Sequence, residues 1–122
     1  EEWSGLPIKM SEMLAAVPSS YYIERVAVNN TANIAKAKKA IAKAFRLQME
    51  GKGFTMIEVL STCPTNWGMT PQESFEWMRE NMLPYYPLGV YRDVLAEGYE
   101  RVAAAALDRA KESKIVAEGG AR

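Results

Sequence analysis

The chain has 122 residues, 48% of them apolar, which is enough for one compact domain with a real core. Fifteen basic and fifteen acidic residues cancel, which gives no ground for nucleic-acid binding, and no apolar run approaches the length of a membrane span. A single cysteine rules out an internal disulfide and fits a reducing, cytoplasmic setting, and the absence of histidine removes self-contained Ser-His or Cys-His catalysis.

Residues 1–5 read as a loose end. Apolar residues at Ile8, Met10, Met13 and Leu14 after Pro7 predict a short helix over Ile8–Ala16, which Pro18-Ser19-Ser20 ends. Tyr21–Val28 predicts a first strand, interrupted by Glu24 and Arg25, whose expected place is a strand edge or a local ion pair. Asn29-Asn30-Thr31 can cap the helix that follows, Thr31–Glu50, with Gly51 as its stop signal. Ile34, Ala37, Ile41 and Phe45 give that helix one apolar face, and Lys36, Lys39, Lys43 and Arg46 line up on another.

Phe54–Leu60, F-T-M-I-E-V-L, is short and almost uniformly apolar, the pattern of a strand covered on both faces. Glu58 is the exception and needs a partner, with an arginine or backbone group expected. Strand, long helix and strand make a βαβ unit with parallel strands. The second strand runs into Ser61-Thr62-Cys63-Pro64-Thr65-Asn66-Trp67-Gly68. In parallel sheets ligands gather beyond the carboxyl ends of strands. From residue types alone, however, a lone cysteine is a small buried hydrophobe and Trp67 is core. Thr70-Pro71-Gln72-Glu73 spells a capping box for a helix reaching about Leu83, where Pro84 stops it. Tyr85–Gly89 reads as a stiff connector. Arg92 to about Ala117 predicts a final helix with a thin apolar stripe, so that 90–117 forms a helical extension of a single domain and 118–122 is loose.

The run from Gly53 through S-T-C-P-T-N-W-G-M, followed by N-M-L-P-Y-Y-P-L-G, closely resembles the β subunit of 2-oxoacid:ferredoxin oxidoreductases, nearest the 2-oxoglutarate and 2-oxoisovalerate branches. The resemblance extends upstream through Tyr22–Val26 and the helix after it, roughly Gly5 to Gly89. It implies an α/β fold, a partial parallel sheet flanked by helices, corresponding to the C-terminal part of a thiamine-diphosphate-binding fold. Neither the G-D-G motif, which serves diphosphate and magnesium in that family, nor its C-P-G-C-G cysteine pair occurs here.

In the parent enzyme a 2-oxo acid is decarboxylated oxidatively on thiamine diphosphate, electrons leave through a [4Fe-4S] cluster to ferredoxin, and coenzyme A accepts the acyl group. The resemblance gives Cys63 the role of fourth cluster ligand. Thr62, Thr65 and Asn66 would support the cluster loop or simply close turns. Lys36, Lys39, Lys43 and Arg46 would face ferredoxin or form an ordinary solvated face. The implied partners are the N-terminal half of the β subunit, the α subunit with further γ and δ subunits, and ferredoxin. By itself the chain is expected to bind no cofactor and to be inactive. The alternative is a non-catalytic assembly or ferredoxin-docking module.

Overall fold

The computed structural model describes residues 7–96. They fall into two compact units, one ending at Arg92 and one beginning at Asp93. In the first, α1 (Met10–Ala15) leads into β1 (Ser20–Ala27), α2 (Thr31–Met49) and β2 (Phe54–Leu60). A single helical turn, α3 (Pro64–Trp67), follows, then α4 (Pro71–Trp77), a π-helical segment (Met78–Met82), α5 (Leu83–Tyr85) and β3 (Gly89–Asp93).

The class is α/β, and the sheet is three-stranded in the order β2-β1-β3, mixed, with β1 and β2 parallel. The register pairs Tyr22 with Thr55, Glu24 with Ile57 and Val26 with Val59 on one face. Ile23–Met56, Arg25–Glu58 and Ala27–Leu60 pair on the other. Alternation along each strand then sorts the covering layers. On the first face, Val26 packs with Ala37 and Ala40 of α2 and with Ile57. On the second, Ala27 and Leu60 pack with Met78, with Met82, Leu83 and Tyr86 around them.

Helix α2 is bounded as its sequence dictates. The Asn30 side chain accepts from the Asn33 backbone N–H (2.8 Å), satisfying one first-turn donor. At the other end Gly51 takes a left-handed conformation (φ 67°), and the Gly51 and Lys52 N–H groups return to the Gln48 and Leu47 carbonyls.

Three expectations are corrected. Strand β2 is not covered on both faces: among the described residues it lies at the sheet edge, with Phe54 and Val59 exposed, and β1 takes the central, buried place. The helix after Thr70 does not stop at Pro84. It widens over Met78–Met82, where the Leu83 N–H reaches back to the Met78 carbonyl, and then continues to Tyr85. A proline ring would collide with the carbonyl four residues earlier in a tight α-helix, and the wider turn just before it eases that clash. Finally, Arg92 and Asp93 end a strand rather than begin a helix. Arg92 donates to the Ala15 and Pro18 carbonyls (2.8 and 3.4 Å). In the second unit a turn follows, in which the Ala96 N–H donates to the Asp93 carbonyl (3.1 Å). The rest of the expected final helix, from 97 on, lies outside the described residues, as do the two expected loose ends, 1–5 and 118–122.

Candidate site at the carboxyl end of the parallel pair

The end of β2 and the end of β1 open on the same edge of the sheet, tied by the Val28 N–H donating to the Leu60 carbonyl (3.1 Å). Two loops meet this edge. One carries Asn29 and Asn30, with the Asn33 side-chain amide donating to Asn29 Oδ1 (2.7 Å). The other carries Cys63.

The Cys63 loop is built almost entirely by its main chain. Pro64 occupies the first helical position of α3, where its missing N–H costs nothing. The Cys63 carbonyl accepts from the Trp67 N–H (3.0 Å). Gly68 sits at φ 65°, ψ 32°, while the Gly68 and Met69 N–H groups return to the Thr65 and Pro64 carbonyls (3.4 and 3.0 Å). That pair of bonds with a left-handed glycine locks the end of a helical turn. The thiol is therefore held by a closed turn, and it is free and exposed. This corrects the reading of a lone cysteine as a buried hydrophobe. Trp67 is likewise half-buried rather than core; its ring lies 4.9 Å from that of Trp77, tilted by 53°. Thr62 is half-buried, and Thr65 and Asn66 are exposed. Because backbone bonds close the turn, these three side chains are not needed for it.

The residues that follow hold the loop from the other side. Thr70 Oγ1 accepts from the Glu73 N–H (3.3 Å), and the Thr70 N–H donates to Glu73 Oε2 (2.8 Å). The Thr70 N–H, and after it the Thr70 hydroxyl, hold the Glu73 carboxyl below its ordinary value.

The basic residues of α2 lie elsewhere. Lys36, Lys39 and Arg46 are exposed, and the Lys43 ammonium sits 4.2 Å above the Tyr22 ring. From Lys36 to Arg46 the stripe runs about 15 Å along the helix. Only its first turn lies at the sheet edge that carries Cys63, so the structure does not gather the stripe around the thiol.

Sequence reasoning missed one feature by assigning its parts separately. Arg25 is completely buried. Its Nε donates to Glu58 Oε2 (2.8 Å), its Nη2 to Glu12 Oε2, and its Nη1 to Glu12 Oε1 (3.0 Å), Tyr91 Oη (2.7 Å) and the Pro87 carbonyl (3.2 Å). Ser11 Oγ completes Glu58 at 2.5 Å, and the Tyr86 and Tyr91 rings flank the guanidinium. Burial alone would lower the arginine pKa; its hydrogen bonds to Glu12 and Glu58 outweigh it and raise it. Arg25 in turn holds Glu12 below its ordinary value. Tyr91 is pushed up, chiefly by burial. The expected partner for Glu58 is thus an arginine, as its place in an apolar strand demanded. All three guanidinium nitrogens are engaged within the fold, which makes the cluster a structural knot.

The geometry defines an α/β chain that presents one rigidly held, exposed thiol beyond a parallel strand. Over 95 residues, 78% of its length, it is 35% identical to the ketoisovalerate oxidoreductase subunit VorA of Methanothermobacter marburgensis. The subunit of that name from Methanothermobacter thermautotrophicus matches to the same extent. The matched region is 20% of each relative, so this chain spans about a fifth of the length of the curated relatives it matches. No protein-family model and no solved structure matches the chain.

The implied cluster can be tested against these residues. Among the described residues no group of three histidine, cysteine or acidic side chains could hold a metal. Cys63 is the sole cysteine of the chain, so it can supply one thiolate at most of the four that a [4Fe-4S] centre takes. An exposed thiol on a locked turn fits that single share. Among the described residues, no helix is long and apolar enough to cross a membrane.

Proposed function

We propose that this chain is part of a 2-oxoacid:ferredoxin oxidoreductase, a segment of its thiamine-diphosphate-binding β subunit. The observation that carries the reading is the likeness to ketoisovalerate oxidoreductase subunits over 95 residues, combined with the free thiol at the carboxyl end of β2. The substrate class is a 2-oxo acid with a branched or dicarboxylic side chain, 2-oxoisovalerate or 2-oxoglutarate.

In the assembled enzyme, Cys63 gives one thiolate to a [4Fe-4S] cluster whose other ligands come from outside this chain. Such a cluster would supply one-electron transfer toward ferredoxin. Thr62, Thr65 and Asn66, neighbours of Cys63 in the loop, would donate hydrogen bonds that tune the cluster's potential. Thiamine diphosphate with magnesium supplies the decarboxylation chemistry and coenzyme A takes the acyl group; both bind through residues of other segments. The N-terminal half of the β subunit, the α subunit and ferredoxin are the partners. This chain positions the loop and closes the sheet beneath it, and alone it turns over no substrate.

The test is anoxic purification of the complex through a tag on this chain, with iron, sulfide and 2-oxo acid oxidation measured for wild type and Cys63→Ser. We expect cluster-level iron in the wild type and a clear fall in iron and turnover in the variant. Iron that is indifferent to Cys63 sinks its ligand role. A tagged complex without 2-oxo acid oxidation sinks the enzyme reading.

A further inference from the structure

Two tryptophans beside the Cys63 loop are held in place without being buried. Trp67 stands one helical turn beyond Cys63, and its N–H donates to the Cys63 carbonyl (3.0 Å). Trp77 ends α4 directly before Met78, which is fully buried and packs with Leu60, the last residue of β2. The strand end that delivers the thiol therefore also fixes the tryptophan pair. Neither ring belongs to the apolar cluster around Met78. The two meet each other instead, 4.9 Å apart and tilted by 53°, within the range that aromatic rings favour. Trp77 keeps 39% of its surface exposed, and it lines an open groove with Glu73, Glu76 and Glu80.

We propose that the pair formed by Trp67 and Trp77 is the wall that excludes water from the metal cluster held by Cys63, and that it thereby lowers the cluster's reduction potential. That a cluster is bound there rests on the function proposed above. Around the thiol, Ser61, Thr62, Thr65 and Asn66 are polar, and the large apolar side chain of the turn is Trp67. An apolar shell around a metal centre controls solvent access and the local dielectric, and through them the potential. Reduction adds one negative charge to an anionic cluster. Water stabilises that charge and an apolar wall does not, so a covered cluster is harder to reduce than a wet one.

The two rings have different parts. Trp67, tied to Cys63 by its own main chain, is the covering ring. Trp77 is a positioning residue: it packs against Trp67 from α4 and keeps that ring from turning out into solvent. Core filling does not explain the pair, because a core role would leave both rings buried. Helix support does not explain it either. The Thr70 capping box and the buried Ser74 and Met78 already secure this helix without any ring contact.

The experiment uses the complex purified anoxically through a tag on this chain, carrying Trp67→Ser, Trp67→Phe, Trp77→Ser or, as a control on α4, Phe75→Ser, whose ring is 40% exposed. Iron and sulfide are counted. The EPR signal that Cys63→Ser removes is titrated against ambient potential, and its deuteron modulation is read by pulsed EPR after exchange into heavy water. We expect Trp67→Ser to keep its iron, to raise the ratio of reduced to oxidised cluster at a set potential about tenfold, and to show about twice the deuteron modulation. Trp77→Ser should move both readings the same way by less. Trp67→Phe should retain the wild-type values, and Phe75→Ser should leave them unchanged. If Trp67→Ser alone loses iron, Trp77→Ser decides by the same readings. An unchanged potential and deuteron signal in the serine variants overturns the proposal, and so does an equal change in Phe75→Ser. Loss of iron from both serine variants, or loss of a partner subunit at an unaltered potential, assigns the pair to holding the loop or an interface and also overturns it. Iron indifferent to Cys63→Ser overturns the ligand role itself, whereas iron that depends on Cys63 with unresponsive tryptophan variants overturns only the wall.

Discussion

Arg25 is the residue on which substitution should act most strongly. A guanidinium with no exposed surface is tolerable only because Glu12, Glu58, Tyr91 and the Pro87 carbonyl surround it. Replacing it with methionine leaves two carboxylates facing a space built for a cation. Breaking a buried pair in this way typically costs about 3–5 kcal/mol, and urea denaturation should show it as a lowered midpoint with an unchanged slope. A midpoint within error of wild type would mean the knot is dispensable.

The same contact sets an acid response. Glu12 is held below its ordinary value of 4.5, chiefly by the hydrogen bond from Arg25. A lowered carboxylate pKa contributes stability that is complete above 4.5 and is lost as pH falls through the lower, folded value. Unfolding midpoints measured downward from neutral pH should therefore decline below that point, less steeply in Arg25→Met. At this scale the sequence was legible only in part. Glu58 in an apolar strand called for an arginine or a backbone group, and the arginine is what it meets. Nothing local in E-R-V could show that Arg25 would bind Glu12 and Glu58 together, because which partners meet is decided by tertiary packing.

Among the elements, the turns were the most legible, since their signals are local and stereochemical. The capping box at Thr70, the cap at Asn30 and the glycine after α2 all stand where the residues place them. Thr70→Ala should cost about 1 kcal/mol. Gly68→Ala should cost about 1–2 kcal/mol through its left-handed backbone alone, since an added Cβ there meets nothing within 4 Å. If Gly68→Ala is neutral in thermal melts, the turn beneath Cys63 is softer than its hydrogen bonds imply.

The π-helical segment was illegible. Its cause is a compromise between continued packing of Met78, Met82 and Leu83 on the core and a proline that an α-helix resists. Residue patterns record the proline and not the packing. The short strand β3 was missed for a similar reason. G-V-Y-R-D has little apolar pattern, and its place beside β1 accompanies long-range bonds from Arg92 and to Tyr91.

For the whole molecule, the α/β class and the parallel pair were readable from periodicity, with β2 bounded at Phe54–Leu60 as its residues indicate. The coverage of β2 was not. An all-apolar strand states that both faces are to be buried, and says nothing about which polypeptide does the burying. Amide hydrogen exchange should separate the two strands in the chain alone. Protection should be greatest in β1 and markedly lower along β2, because an edge strand opens without disrupting a neighbour on its outer side. Protection of β2 should rise in the assembled complex. Equal protection of the two strands in the isolated chain would argue that the edge is already covered.

The Arg25 knot also imposes an order of events on the ribosome. Its ligands lie at residue 12, at 58, at 87 and at 91, so the last arrives 66 positions after the arginine itself. At about 5–20 residues per second the guanidinium waits roughly 3–13 seconds for Tyr91 to be synthesised. Its charge partners come earlier, Glu12 already made and Glu58 supplied with β2, so the Pro87 and Tyr91 contacts are the last to be added. The complete knot therefore requires α1, both parallel strands and the segment beyond α5 together.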